Sequence, residues 1–392
     1  MKIAVIAYNH PESSLPLAKY LADKGHLVDY YYITNSKTRS ISAFDFSKAE
    51  VKIGITELKE KDIPAIFNVW KDNKSTIHLL RFFWLSIKFF PFVKRLFQRL
   101  SINPALKILN DRNYDAINLI GQDALLKYIH QKLICKNKIH SLHEVAPHYS
   151  GQKIPNSLIR FLLSNKISVI VHSNASYKAI NEYQISKETS NIHEIPFGLF
   201  ETYLSIRPSC NIPYTDYLLF YGRIVSYKGL DLLYNALEIL KLKLPNLKTI
   251  IAGEGTDDAI LKLRSNPNCI VINQYISNED LVELNMKAKA IVCPYESASQ
   301  SGIVMTSFVF DKPIIATSVG AFTEVITNNE NGLLLKYNTP EDLAIAIFQI
   351  FSNMNFYSTL QQGVKNFSIK HPQYDWNNIA EQTIDVFKSE NK

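Results

Sequence analysis

Between Phe220 and Leu230 the chain reads FYGRIVSYKGL, and four of these residues are suited to holding an anion. Gly222 and Arg223 come directly after an apolar run, while Lys228 and Gly229 stand directly before a segment with helical apolar spacing. Glycine lets backbone approach a ligand closely, arginine grips two oxygens at once, and lysine adds a compact mobile charge. Cations at a strand-to-helix turn therefore suit a phosphate or a diphosphate. Taken singly, one Arg and one Lys in such a place are ordinary solvated surface cations.

A second loop changes that reading. In CPYESASQSGIVMTSFVFDKP, residues 293–313, a strand ends at Pro294, a small polar loop follows, and a helix begins near Gly302. Amides of Ser301, Gly302 and Ile303 at that start have no partner within the helix, and its dipole adds to their attraction for negative charge. Alone, the loop is a capped helix. Two phosphate-suited loops in one half of the chain are harder to attribute to capping and surface charge. Elsewhere, His143 in SLHEV follows a strand and is followed by Glu144, with His148 and His172 as weaker candidates. On the residues alone, a histidine placed so is more often structural than catalytic.

The elements that must position these groups alternate between short β-rich runs and helical patterns, the signature of parallel α/β sheets. KIAVIAY, HLVDYYYI, YDAINLIG, KIHSLHEV, ISVIVHSN and IHEIPFG supply strands in the first half. YLLFYGRI, LKTIIAGEG, CIVINQYI, AIVCPYE and PIIATSVG supply them in the second. The polar, aperiodic stretch 198–216 reads as a linker, giving an N-terminal domain over 1–197 and a C-terminal one over 217–373. A last amphipathic pattern within 374–392 predicts a helix that packs back onto the first domain. Open parallel sheets bind ligands at the carboxyl ends of their strands, so the loops just after each strand are the informative ones.

Bulk properties agree with this division. A chain of 392 residues exceeds what one core usually supports, and 46% hydrophobic with 20% charged residues is ordinary for a globular protein. The net charge of +7, from 43 Lys and Arg against 36 Asp and Glu, does not point to nucleic acid. Four separated cysteines without a CxxC pair suit a reducing compartment and read as small buried hydrophobes. The first apolar run is too short for a signal peptide, and no stretch reaches the roughly 18 apolar residues of a membrane span, so a cytoplasmic location is expected. Residues 74–110 carry Lys74, Arg81, Lys88, Lys94, Arg95, Arg99 and Lys107 among seven aromatics, with no acid. That segment reads either as a peripheral contact with the cytoplasmic membrane face or as a core helix pair broken at Pro91.

In order and spacing, FYGRIVSYKGLDLLYNAL, TIIAGEG and PIIATSVGAFTEVITNNENGLLL resemble the donor-binding domain of retaining glycosyltransferases of GT-B fold, the large family four. LAKYLADKGHLV, SLHEVAPH, VIVHSN and IPFG match more loosely. The resemblance implies two Rossmann-like α/β domains facing a cleft. It assigns Arg223 and Lys228, beside Gly222, to the diphosphate of a nucleotide-sugar donor, with no metal or other cofactor required. It places His143 beside the transferred sugar.

Two departures accompany the match. The pair of glutamates usual in the family falls on Ala298 and Thr306. Thr306 could exchange one hydrogen bond with ribose, Glu296 stands two residues early, and Glu324 matches a family glutamate near the donor pocket. The glycine pair usual after the first strand is replaced by AYNHPESSLP, which makes Asn9, His10, Glu12 and Ser13 candidate acceptor contacts. The expectation is a retaining, metal-independent hexosyltransferase acting on a glycan or lipid-linked oligosaccharide in surface polysaccharide synthesis. A non-catalytic GT-B scaffold or binding subunit is the alternative, and a phosphorylase or epimerase of the same fold a third.

Overall fold

Continuous apolar runs, rather than alternating ones, mark strands buried on both faces. The computed structural model puts two such runs, KIAVIAY and YLLFY, at the centres of two sheets. It describes residues 1–34, 54–57, 76–81, 91–145, 156–182, 191–299 and 302–389. The chain divides into one unit of Met1–Ala146, Lys153–Gly198 and Gln373–Lys392, and a second of Pro147–Gln152 and Leu199–Pro372.

In the first unit the order is β1 (Lys2–Tyr8), α1 (Pro11–Asp23), β2 (Leu27–Thr34), β3 (Gly54–Glu57), β4 (Thr76–Arg81), α2 (Pro91–Asp111) and β5 (Ala116–Ile120). It continues through α3 (Ala124–Lys132), β6 (Lys138–Ser141), α4 (Asn156–Ser164), β7 (Val169–Val171), α5 (Asn174–Glu182) and β8 (Ile192–Glu194). The sheet runs β3-β4-β2-β1-β5-β6-β7-β8, parallel throughout except for the β3–β4 edge pair. Period-two alternation sorts β1 between two cores. Ile3, Val5 and Ala7 pack with α1 and with Trp376, Ile379 and Phe387 of the last helix. Ala4, Ile6 and Tyr8 pack on the other face with α2, α3 and α4.

The second unit holds β9 (Tyr217–Tyr221), α6 (Leu230–Leu240), β10 (Thr249–Ala252), α7 (Ala259–Ser265), β11 (Cys269–Ile272), α8 (Asn278–Lys287) and β12 (Ala288–Cys293). Then come α9 (Gly302–Val309), β13 (Ile314–Ala316), α10 (Phe322–Val325), β14 (Gly332–Leu334), α11 (Pro340–Ser352), α12 (Met354–Lys365) and α13 (Phe367–Lys370). Its six strands are all parallel, in the order β11-β10-β9-β12-β13-β14. The final helix, α14 (Trp376–Ser389), belongs to the first unit and lies against α1. A Cβ at Gly198 would stand 2.5 Å from the Trp376 ring, so glycine there lets the helix return.

Several expectations are corrected. Within 74–110, where the helix-pair reading placed helix, Thr76–Arg81 form strand β4, and Pro91 is the first residue of α2. Proline is at home there because first-turn amides have no intrahelical acceptor. Lys74, Ser75 and residues 82–90 lie outside the described residues. Of the cysteines, Cys293 is buried, Cys135 and Cys269 are half-buried, and Cys210 is exposed. Strands β3, β4 and β14 had no counterpart in the sequence reading. Residues 199–216 lie in the second unit, where a 3-10 turn over Glu201–Ser205 buries Thr202 and Tyr203. Burial alone pushes the Glu283 carboxyl up, but hydrogen bonds from Lys287, Ser209 and the Ile212 and Asn211 amides outweigh it and hold the group at about 2. No described helix is long and apolar enough to cross a membrane.

Candidate functional site

In the second unit the loops after β9, β10 and β12 run against one another. The Ile224 amide donates to Glu254 O, the Thr256 amide to Ile224 O, and the Glu296 amide to Tyr227 O. Two glycines make this approach possible. A Cβ at Gly229 (φ 68) would stand 1.8 Å from Pro294 O, and one at Gly253 (φ 154) 1.8 Å from Gly222 O. No other residue type fits either place without moving backbone.

This frame fixes Lys228. Its stem follows a short 3-10 turn, Ser226–Lys228, and its Nζ lies 3.7 Å from the centroid of the Tyr295 ring and 5.5 Å from that of Tyr227. The ammonium also lies over Gly222, 4.0 Å from where a Cβ would be. Burial, opposed by Cys293 and assisted by the neighbouring charge of Arg223, lowers the Lys228 pKa to about 8. Arg223 itself is exposed. An anion bound between this half-buried cation and its exposed neighbour would favour both charges. Tyr295 is a member of this site that the sequence reading missed. Its signal was present in CPYE, an aromatic just past a buried strand.

Across the same loops α9 begins at Gly302. The Gly302 and Ile303 amides are first-turn donors without intrahelical acceptors, and Ser301 lies outside the described residues. The Ile303 carbonyl accepts from Ser307 and Tyr221, which fastens the first turn to β9. Thr306 is 5% exposed and its hydroxyl donates to Gly302 O at 3.0 Å. Its single proton is thus engaged, leaving only acceptor capacity toward any ligand. Ala298 is buried, and its carbonyl accepts from the Ala321 amide at 2.8 Å. Glu296 and Glu324 are exposed, the latter in the first turn of α10.

In the first unit, four rings from four strand ends form a column. His10 follows β1, His143 follows β6, His172 follows β7 and Phe197 follows β8. His10 stacks on His143 with centroids 3.4 Å apart, His143 meets Phe197 at 4.9 Å, and Phe197 stacks on His172 at 3.8 Å. Just after β1, Asn9 (φ 63) and His10 (φ 55) are both left-handed. That conformation is costly for a side-chain-bearing residue, and here it turns the His10 ring over His143. His10 Nδ1 lies 3.2 Å from Glu12 Oε1. Ser13 turns inward, its hydroxyl donating to His10 O. The His172 Nδ1–H donates to Ile195 O, and burial lowers its pKa to about 4, so it is neutral. Glu144 exchanges hydrogen bonds with Gln122, whose carbonyl accepts the Glu144 amide at 2.9 Å. His148 lies outside the described residues.

Among the described residues, His10, Glu12 and His143 form the one grouping with metal-ligand chemistry, with candidate atoms within 4.8 Å of one another. The two imidazole planes are within 15° of parallel. Ring lone pairs lie in the ring planes, so one ion could not be in line with both unless a ring turned.

Residues 206–367 match the model for glycosyl transferases group 1. An uncharacterized glycosyltransferase of Methanocaldococcus jannaschii is 24% identical over 176 residues, 44% of each chain, so this chain spans less than half the length of that curated relative. Among solved structures, sucrose-phosphate synthase of Thermosynechococcus elongatus superposes with a TM-score of 0.68 at 16% identity, covering 99% of both chains. Anabaena HepE, solved in complex with UDP, gives 0.65 at 16% identity, covering 99% of this chain and 100% of that one. Such identities establish the fold. The chain therefore has the GT-B fold, and its residues 206–367 are similar to the glycosyl transferases group 1 family.

Proposed function

We propose that the chain is a retaining, metal-independent hexosyltransferase, moving a hexose from a nucleotide diphosphate sugar to a glycan or lipid-linked oligosaccharide in surface polysaccharide synthesis. The observation that carries this reading is Lys228, held half-buried beside Arg223 at the glycine-framed loop with its pKa lowered to about 8. A departing nucleoside diphosphate gains negative charge as the sugar bond breaks. Two prearranged cations and the α9 amides would offset that charge without reorganising, which is the task a divalent metal performs elsewhere. The likeness to a structure that holds UDP supports the donor class. His143 is read as a contact for the transferred sugar. The exposed basic and apolar face of α2 supports work at the cytoplasmic membrane face.

The test is thermal unfolding of the chain with UDP, GDP, ADP and CMP and their sugars, with and without magnesium. A ligand at about 100 times its dissociation constant adds roughly 2.7 kcal/mol, so one base should give a clear shift without metal. Arg223→Ala and Lys228→Ala should each lower kcat/KM by about 2–4 kcal/mol. Full activity in either variant removes the site assignment. Retention is read from the anomeric proton coupling of the product.

One observation favours a second reading, a non-catalytic binding subunit. The two positions expected to be acidic are the buried Ala298 and a Thr306 whose hydroxyl is bonded to its own helix. Donor binding without release of nucleoside diphosphate, across a panel of acceptors, would establish that reading instead.

A further inference from the structure

The first unit contains a cavity of about 450 Å³ between α2, α3 and α4, made by residues that the donor reading does not use. Three cations line it: Arg95 and Arg99 from successive turns of α2, and Lys127 from α3. None of the three is ion-paired with a described residue. Aromatic rings steady two of them instead, with the Arg99 guanidinium 5.0 Å from the Tyr128 centroid and the Lys127 ammonium 5.4 Å from that of Phe161. Tyr128 is itself anchored, its hydroxyl donating to Asn103 of α2 at 2.6 Å, which locks α3 to α2.

Backbone adds to the side chains. Ala124 and Ser157, both at the cavity wall, lie in the first turns of α3 and α4, where amides have no intrahelical acceptor and the helix dipole is positive. The one acid on the wall, Asp123, accepts the Leu125 amide at 2.8 Å as the cap of α3. Three cations, two helix starts and one engaged carboxylate leave a net positive cavity whose volume is in the range of small-molecule sites.

We propose that this cavity binds a phosphate ester. Paired arginines on one helix face match the fork geometry of phosphate oxygens, and Lys127 supplies a third charge from the opposite wall. The phosphate could be carried by a soluble phosphorylated saccharide or by a lipid headgroup. On the outer side of α2, Leu96, Phe97 and Leu100 are exposed at 45%, 47% and 56%, which makes the lipid source worth a separate arm. The proposal is independent of the donor site, and its test keeps the two apart.

Binding of inorganic phosphate and glycerol 3-phosphate to the full chain is measured by calorimetry. Co-sedimentation is measured with vesicles of phosphatidylcholine alone or mixed with phosphatidylglycerol. The variants are Arg99→Gln, Lys127→Gln, the pair together, and Arg223→Ala. The expected result is a loss of affinity of about tenfold or more per cation removed in the cavity, the same in the unaltered chain and in an Arg223→Ala background, with nucleotide binding intact in the cavity variants. Loss confined to soluble phosphates identifies a phosphorylated saccharide. Loss confined to phosphatidylglycerol vesicles, with glycerol 3-phosphate failing to compete, identifies a headgroup. Absence of binding by both probes overturns the proposal, as does binding that survives the double variant or disappears with Arg223→Ala.

Discussion

The two units place different chemistry at the same topological position. Each gathers its candidate groups just past the carboxyl ends of parallel strands. In the first these are stacked rings, His10, His143, Phe197 and His172. In the second they are cations and glycines, with Lys228 over Gly222 and Gly229 against Pro294. Stacked rings bearing imidazole nitrogens suit a hydroxyl-rich ligand, which offers hydrogen bonds and no net charge. Cations among exposed amides suit an anion. The shared fold therefore says where ligands go, and the side chains at each strand end say which kind.

The sharpest way to break this contrast is at the frame. Gly229→Ala puts a methyl group 1.8 Å from Pro294 O in a left-handed conformation. Strain of that kind costs roughly 1–3 kcal/mol before any clash is counted, so the second unit should lose about 3 kcal/mol or more and its nucleotide binding with it. Emission of Trp376, buried in the first unit, serves as the control once Trp70→Phe and Trp84→Phe remove the other two tryptophan signals. The emission transition in urea should stay in place while nucleotide-protected unfolding shifts. A variant with unchanged stability would show that the β9 and β12 loops are not held together at Gly229.

Acid sharpens the contrast from the other side. Burial lowers the pKa of His140 and His172 to about 4 and that of His130 to about 2, and all three are in the first unit. His130 and His140 are 2.9 Å apart, with His140 Nε2 bonded to Gly121 O. The folded pKa values lie below the unfolded value of 6.5, so the unfolded chain binds more protons beneath that point. The stability these groups confer is full above pH 6.5 and is lost as pH falls toward 4, at roughly 3 kcal/mol for a fully buried group such as His140. The urea midpoint read by tryptophan emission should therefore fall between pH 7 and pH 5. An unchanged midpoint would mean that these rings are hydrated and charged.

What could be read in advance follows the same division. The cation loop is contiguous, so Gly222, Arg223, Lys228 and Gly229 were visible as a motif before any fold was known. The buried runs of β1 and β9 were equally legible, because continuous apolar runs within strands of seven and five residues, rich in β-branched and aromatic side chains, are too short for a helix and fit a strand covered on both faces. The ring column was not. Its members come from four strands, and only the sheet order β1-β5-β6-β7-β8 brings them together. Tyr295 was missed because its contact with Lys228 depends on the crossing of two loops. Strand β4 was missed because aromatics and cations in a run without acids look helical or interfacial, whereas pairing with β2 and β3 decides the matter.

The smallest expected effect tests Lys228 most directly. Its folded pKa of about 8 lies below the ordinary lysine value of 10.5, chiefly through burial. Between those values the unfolded chain holds a proton that the folded one lacks, so the ligand-free second unit should gain stability as pH rises through that window. Donor affinity should move the opposite way. If the diphosphate requires the ammonium, its dissociation constant should rise by about tenfold per pH unit above 8. Lys228→Arg keeps the charge at every accessible pH, so it should flatten the profile even where it weakens binding. Arg223→Ala removes a charge that lowers the Lys228 pKa, and should move the inflection upward. An affinity that is level from pH 7 to beyond the inflection in the unaltered chain would separate Lys228 from the donor. The anion would then rest on Arg223 and the α9 amides alone, and the second unit's site would be a single exposed cation at a helix start.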